Sequence, residues 1–139
     1  MRSGSLFLFF LSSLWVLSAC SKTDPALTKT QLLTQQSGWK YGQATSTDPL
    51  LQASIVASLE GSEFVFKIDK TSTLTFAISH GLTPAQYTWA FTADEKNLLL
   101  TSTSNGVQEK YELVNLDVSS LQFRTATGGV INTYKYLKK

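Results

Sequence analysis

The sequence predicts an all-β domain: an eight-stranded antiparallel up-and-down β-barrel with a short N-terminal helix and one helical or lid-like insert. Three observations lead there. Apolar and polar residues alternate with a period of two downstream of residue 60. Gly, Asn, Asp and Pro break that alternation at short intervals. Most links between the alternating runs are too short for parallel crossovers, which need about a dozen residues or more.

The elements follow in chain order. Leu27 to Gln36 reads as one or two turns of helix, with Leu32 and Leu33 placed to cover an open barrel end. Trp39 and Tyr41 mark the first strand. The insert from Thr45 to Gly61 fits two patterns: Leu51, Ile55 and Leu59 recur at helical spacing, while Leu51, Ala53, Ile55, Ala57 and Leu59 alternate as in a strand. Its ends favour helix, because Asp48 suits an N-cap, Pro49 the first helical position and Gly61 the stop. Such a helix is either a mobile lid or a packed surface element.

Beyond it, Phe64, Phe66 and Ile68 share one face, and after the turn Asp69-Lys70-Thr71-Ser72 so do Leu74, Phe76 and Ile78. A longer loop, His80 to Pro84, leads to Tyr87, Trp89 and Phe91. Asp94-Glu95-Lys96 turns into the strand of Leu98 and Leu100. Asn105-Gly106 supplies the positive-φ tolerance of a tight hairpin before Tyr111 and Leu113. Asp117-Val118-Ser119 precedes Leu121 and Phe123, and Gly128-Gly129 precedes Tyr134 and Tyr136.

One apolar face per strand implies one buried side per sheet. A meander of this length removes its exposed edges by pairing its first and last strands, and an eight-stranded lumen is just wide enough for side chains or one small ligand. A two-sheet sandwich fits the same pattern as a rival closure. The inward set is Trp39, Tyr41, Phe64, Phe66, Phe76, Tyr87, Trp89, Tyr111, Phe123, Tyr134 and Tyr136, with Phe91 beside them. These rings either fill the barrel as a core or line a pocket for a small apolar or amphipathic ligand. The tyrosine hydroxyls point towards a pocket, because each needs a partner if buried.

Composition narrows the chemistry. The formal net charge is +2, and beyond the terminal Lys138-Lys139 there is no basic tract, so nucleic acid is not an expected partner. His80 is the single histidine and lies in a loop, which leaves a serine-histidine-acid site without support. No motif for a metal or other cofactor is present, and none is expected. Asp94 and Glu95 share a turn. Glu109 and Glu112, three apart on a strand, point to opposite faces and do not converge; solvated outer faces explain all these acids more simply. No enzyme is expected.

The N-terminus has the zones of an export signal. Arg2 supplies a positive charge, and Leu6 to Leu11 with Leu14 to Leu17 supply a short apolar run. Leu17-Ser18-Ala19-Cys20 resembles the bacterial lipobox, in which the cysteine thiol is lipidated after cleavage before it. Cys20 is the chain's single cysteine, so no internal disulfide is expected. The expected organisation is a signal peptide at 1–19, a lipidated tether at 20–30 and one barrel domain at 31–139. A membrane is then a partner through the lipid on Cys20. By the enterobacterial sorting rule, Ser21 in place of an aspartate implies the outer membrane of the cell envelope.

From Leu32 to Lys139 the chain resembles lipocalin-like lipoprotein domains of Bacteroidetes. The resemblance rests on Leu32-Leu33-Thr34 followed by Gly38-Trp39-Lys40, and on Phe64-Val65-Phe66 followed by Leu74-Thr75-Phe76. It continues through Tyr87-Thr88-Trp89-Ala90-Phe91 with Asp94-Glu95-Lys96-Asn97-Leu98, and ends at Tyr134-Lys135-Tyr136. The chain departs from the pattern where Gly38 and Trp39 are adjacent and where Tyr87 stands in place of a glycine. The resemblance implies a calycin-type barrel and non-catalytic binding of a small hydrophobic ligand. The alternative is an envelope protein-interaction, scaffold or inhibitor module with a solidly packed barrel.

Overall fold

The computed structural model describes residues 26–35 and 37–139. The expected signal peptide, Cys20 and the first part of the tether lie outside the described residues.

Strands β1 (Trp39–Ser46), β2 (Glu63–Phe66), β3 (Thr71–Thr75), β4 (Ala85–Phe91), β5 (Asn97–Ser102), β6 (Gln108–Leu116), β7 (Ser120–Thr127) and β8 (Val130–Lys138) pair in chain order, all antiparallel. β1 also pairs with β8, from Trp39 opposite Lys138 to Ser46 opposite Asn132, so the sheet closes into an eight-stranded barrel. Closure gives every strand two neighbours and excludes the sandwich. The fold is an up-and-down barrel of lipocalin-like architecture with two short helices.

Two bulges interrupt the ladder, between Tyr41 and Gln43 on β1 and between Leu113 and Asn115 on β6. Each inserts a residue and increases local twist, which helps a sheet curl to closure. The last hairpin is tight: Thr127 pairs with Val130, and Gly128 and Gly129 between them have φ of 59° and 82°. Two positive-φ residues define a type I′ turn, whose twist matches that of its strands.

Helix α1 (Lys29–Leu33) starts with a capping box, in which Thr28 accepts from the Gln31 backbone and the Gln31 side chain accepts from the Thr28 backbone. It closes the end of the barrel where β1 begins. Leu33 is fully buried in the core, and the Lys29 ammonium donates to the Glu95 carbonyl in the β4–β5 turn. Helix α2 (Pro49–Leu59) begins as its caps suggest, with the Asp48 carboxylate accepting from the Leu50 amide at 2.9 Å and Pro49 in the first turn. It packs beside β1, held by Gln52, whose side-chain amide donates to the Ala44 carbonyl.

Two alternation-based assignments fail at strand ends. Ile68 and Ile78 continue the inward parity on paper, yet they are 71% and 99% exposed. β2 ends at Phe66 and β3 at Thr75, so Ile68 sits in a turn and Ile78 opens a 3₁₀ turn that runs to His80. Parity carries no meaning once the pleat stops.

Candidate ligand-binding site

The lumen is packed solid in one half and hollow in the other. Near α1 the core is made of Leu33, Trp39, Phe66, Trp89, Leu98 and Leu121, all buried. The indoles satisfy their N–H groups locally: Trp39 donates to the Leu33 carbonyl at 2.9 Å, and Trp89 is shared between the carbonyls of Lys67 and Thr71. Phe66 meets Trp89 edge-on, with centroids 6.1 Å apart, and Phe91 packs edge-on against the same indole.

The other half holds a cavity of about 160 Å³, open to solvent on one side and lined by Leu59, Phe64, Leu74, Tyr87, Leu100, Tyr111, Phe123, Tyr134 and Tyr136. Its wall is a continuous set of rings. Phe123 stacks on Tyr136 at 5.9 Å and packs against Tyr134 at 5.5 Å, while Tyr111 meets Phe123 edge-on at 5.1 Å. Phe64 links this group to Tyr87 on the far side, at 6.1 Å. Leu59, the last residue of α2, contributes to the wall from outside the sheet.

Of the residues expected to face inward, Phe64, Tyr87, Tyr111, Phe123, Tyr134 and Tyr136 border this space. Trp39, Phe66 and Trp89 lie in the solid half and do not. Tyr41 packs edge-on against Tyr136 behind the wall, with its hydroxyl accepting from the Ala44 amide at 3.0 Å. Phe76 follows the end of β3 and packs on the core without reaching the cavity. Leu59, Leu74 and Leu100 complete the lining. The inward parity of Leu74 and Leu100 was visible in the sequence, whereas Leu59 needed the position of α2.

Burial dominates the chemistry of the tyrosines. It raises the Tyr136 hydroxyl to about 12, partly offset by the neighbouring Ser62 hydroxyl. Tyr111 is raised further, first by burial and then by donating its O–H to Glu109. Tyr87 and Tyr134 are raised too, mainly by burial. All four therefore present neutral hydroxyls and π faces at neutral pH.

The acids need one correction. Glu112 does face outward, where Arg124 holds it in a two-pronged pair at 2.8 Å. Glu109 does not belong to that outer face. It pairs directly with buried Leu100, and cross-strand partners share a face, so its side chain is on the lumen side. Its parity with Tyr111 already carried this information.

His80 lies in the 3₁₀ turn, with Nδ1 buried and without a hydrogen-bond partner among the described residues. Among the described residues no group of three or more His, Cys, Asp or Glu is arranged to hold a metal, and no helix is long and apolar enough to cross a membrane.

The class that fold and site define is a closed lipocalin-like barrel with a small aromatic cavity in one half. In comparisons with protein-family models and with curated proteins, the chain matches none of either.

Proposed function

We propose that this chain is a lipid-anchored envelope protein whose barrel binds one small, largely apolar molecule without transforming it. The observation that carries the binding reading is the ring-walled cavity of about 160 Å³. Its size sets the ligand. An apolar cavity of about 150 Å³ holds one benzene, and drug-sized ligands occupy about 300 Å³ or more. A single ring or a short alkyl chain fills the space as it stands; a longer chain would extend out through its open side.

The anchor reading rests on the lipobox-like Leu17-Ser18-Ala19-Cys20. α1 follows that segment in the chain and covers the closed end, and the cavity lies in the half of the barrel away from α1. The resemblance to Bacteroidetes lipocalin-like lipoproteins supports both parts of the proposal, and outer-membrane residence follows from the same analogy. The absence of a catalytic role is part of the proposal, since the cavity wall offers rings, leucines and neutral hydroxyls.

The test is a titration of the full chain in detergent micelles with toluene, read by NMR on labelled tyrosine rings. Saturable shifts at Tyr87, Tyr111, Tyr134 and Tyr136, with a smaller response at Tyr41, support the proposal. Tyrosine signals that do not respond up to the solubility limit of toluene contradict it.

A protein-interaction role is the second reading. It is favoured by Leu50, Ile78 and Leu82, which are 87%, 99% and 51% exposed in α2 and in the β3–β4 connection. Site-specific crosslinking from position 50 or 78 in intact cells, yielding one defined adduct, would support it.

A further inference from the structure

The rim of the cavity carries a charge that its wall lacks. Glu109 stands on the lumen face of β6, two residues from Tyr111, whose hydroxyl donates to its carboxylate. Tyr87 from β4 and Tyr134 from β8 border the spaces that Glu109 borders, one on each side of it. After burial, the Glu109 charge helps raise the hydroxyls of both. The same tyrosines continue down into the cavity. Glu109 thus sits where the hollow half of the barrel meets solvent.

No cation forms an ion pair with it among the described residues. The ion pairs among the described residues are Arg124–Glu112 and Lys139–Glu63, and neither involves Glu109. Its neighbour Lys110 lies opposite Leu99, with the reverse parity; it borders the space that Glu109 shares with Tyr134, and also an outer groove with Glu112 and Arg124. The side-chain Oδ1 of Asn132, which borders the same space as Glu109 and Tyr134, is buried without a hydrogen-bond partner among the described residues. The lumen side of the rim therefore offers acceptors and π faces to a ligand, and the charge on that side, Glu109, is negative.

A carboxylate at the mouth of a ring-lined space discriminates by charge. An ammonium is attracted both to Glu109 and to the tyrosine faces, and cation–π attraction strengthens as water is excluded. A carboxylate ligand would bring like charge against Glu109, which disfavours it. The barrel already contains one such contact, with the Lys70 ammonium 3.9 Å from the centre of the Trp89 ring.

The geometry points to a site that selects small primary or quaternary amines with one apolar group, seated with the apolar group among Phe64, Leu74 and Phe123 and the ammonium at Glu109 between Tyr87 and Tyr134. The inference rests on the reading of the cavity as a ligand site and names the ligand class for it.

Three probes of one size test it: benzylamine, benzyl alcohol and benzoate, each titrated calorimetrically into the full chain in detergent at neutral pH. Benzylamine is expected to bind about tenfold more tightly than benzyl alcohol, equivalent to about 1.4 kcal/mol, with benzoate weakest. In Glu109→Gln, which retains an acceptor for the Tyr111 hydroxyl, the amine-to-alcohol ratio is expected to fall within about twofold. Equal affinities for amine and alcohol in the unmodified chain overturn the inference, and so does an amine preference that survives Glu109→Gln. In both cases the bound alcohol leaves the cavity reading standing. If none of the three probes binds, the cavity reading fails and the amine selection fails with it.

Discussion

The Trp39 indole N–H donates to the carbonyl oxygen of Leu33 at 2.9 Å, and both residues are fully buried. This bond joins the end of α1 to the start of β1 and fixes the helix over the closed end of the barrel. Trp39→Phe keeps a ring but strands the Leu33 carbonyl, a loss of about 1–3 kcal/mol. Leu33→Ala leaves a void beneath the helix and costs about 2–5 kcal/mol. Urea unfolding followed by fluorescence of the remaining tryptophans measures both.

Glycines at two places separate crowding from backbone strain. Gly128 has φ of 59° with open space around it, so Gly128→Ala meets only the left-handed penalty, about 1–2 kcal/mol. Gly38 has φ of 71°, and a Cβ there would stand 3.0 Å from Val65 Cγ2 and 3.2 Å from the Phe64 carbonyl oxygen. Gly38→Ala adds that clash to the same strain, at the seam where β1 meets the short β2. Its urea midpoint should therefore fall further than that of Gly128→Ala.

Alkaline stability follows from the tyrosines. Tyr136 is raised from near 10 to about 12 by burial. The unfolded chain loses this proton as pH passes 10, while the folded chain keeps it until about 12, so the contribution is whole below pH 10 and is lost across that window. Two units correspond to about 3 kcal/mol. Tyr111, Tyr87 and Tyr134 shift in the same direction and add to the slope. Denaturant midpoints should be flat up to about pH 10 and then fall. Tyr136→Phe should fall less steeply than the unmodified chain.

The anchor is tested independently of the barrel. Cells fed labelled palmitate should incorporate it into the full chain, and Cys20→Ser should abolish incorporation and release the protein from the membrane fraction. Incorporation that survives Cys20→Ser would remove the thiol as the attachment point.

Much of the barrel was legible because its signals are local. Period-two alternation gave the strands from Phe64 to Tyr136, Gly128-Gly129 marked the last hairpin, and Asp48-Pro49 decided helix over strand for the insert. The capping box Thr28-x-x-Gln31 was also present and would have placed the start of α1 at Lys29. Alternation misled at Ile68 and Ile78 because it does not report where pairing stops.

The division of the lumen was not legible. Parity says that Trp39, Phe66, Tyr87 and Tyr134 all point inward, but not at which height each meets its neighbours across the barrel. That height depends on strand tilt, stagger and two bulges, which are properties of the closed sheet. Hence one set of rings interlocks near α1, while another stands apart around a cavity that Leu59 helps to wall. Glu109 was misplaced for a different reason: it was weighed against Glu112, when its partner in parity was Tyr111.

A crystal of the full chain or its mature form, exposed to benzene vapour, tests the central claim most directly. Binding predicts a flat feature in the electron density between Phe64, Leu74, Tyr111 and Phe123, with α1 and the solid half unchanged. A lumen in which Phe64 and Leu74 close onto Tyr111 and Phe123 and leave no space between them, or which holds only hydrogen-bonded water after exposure, would contradict it.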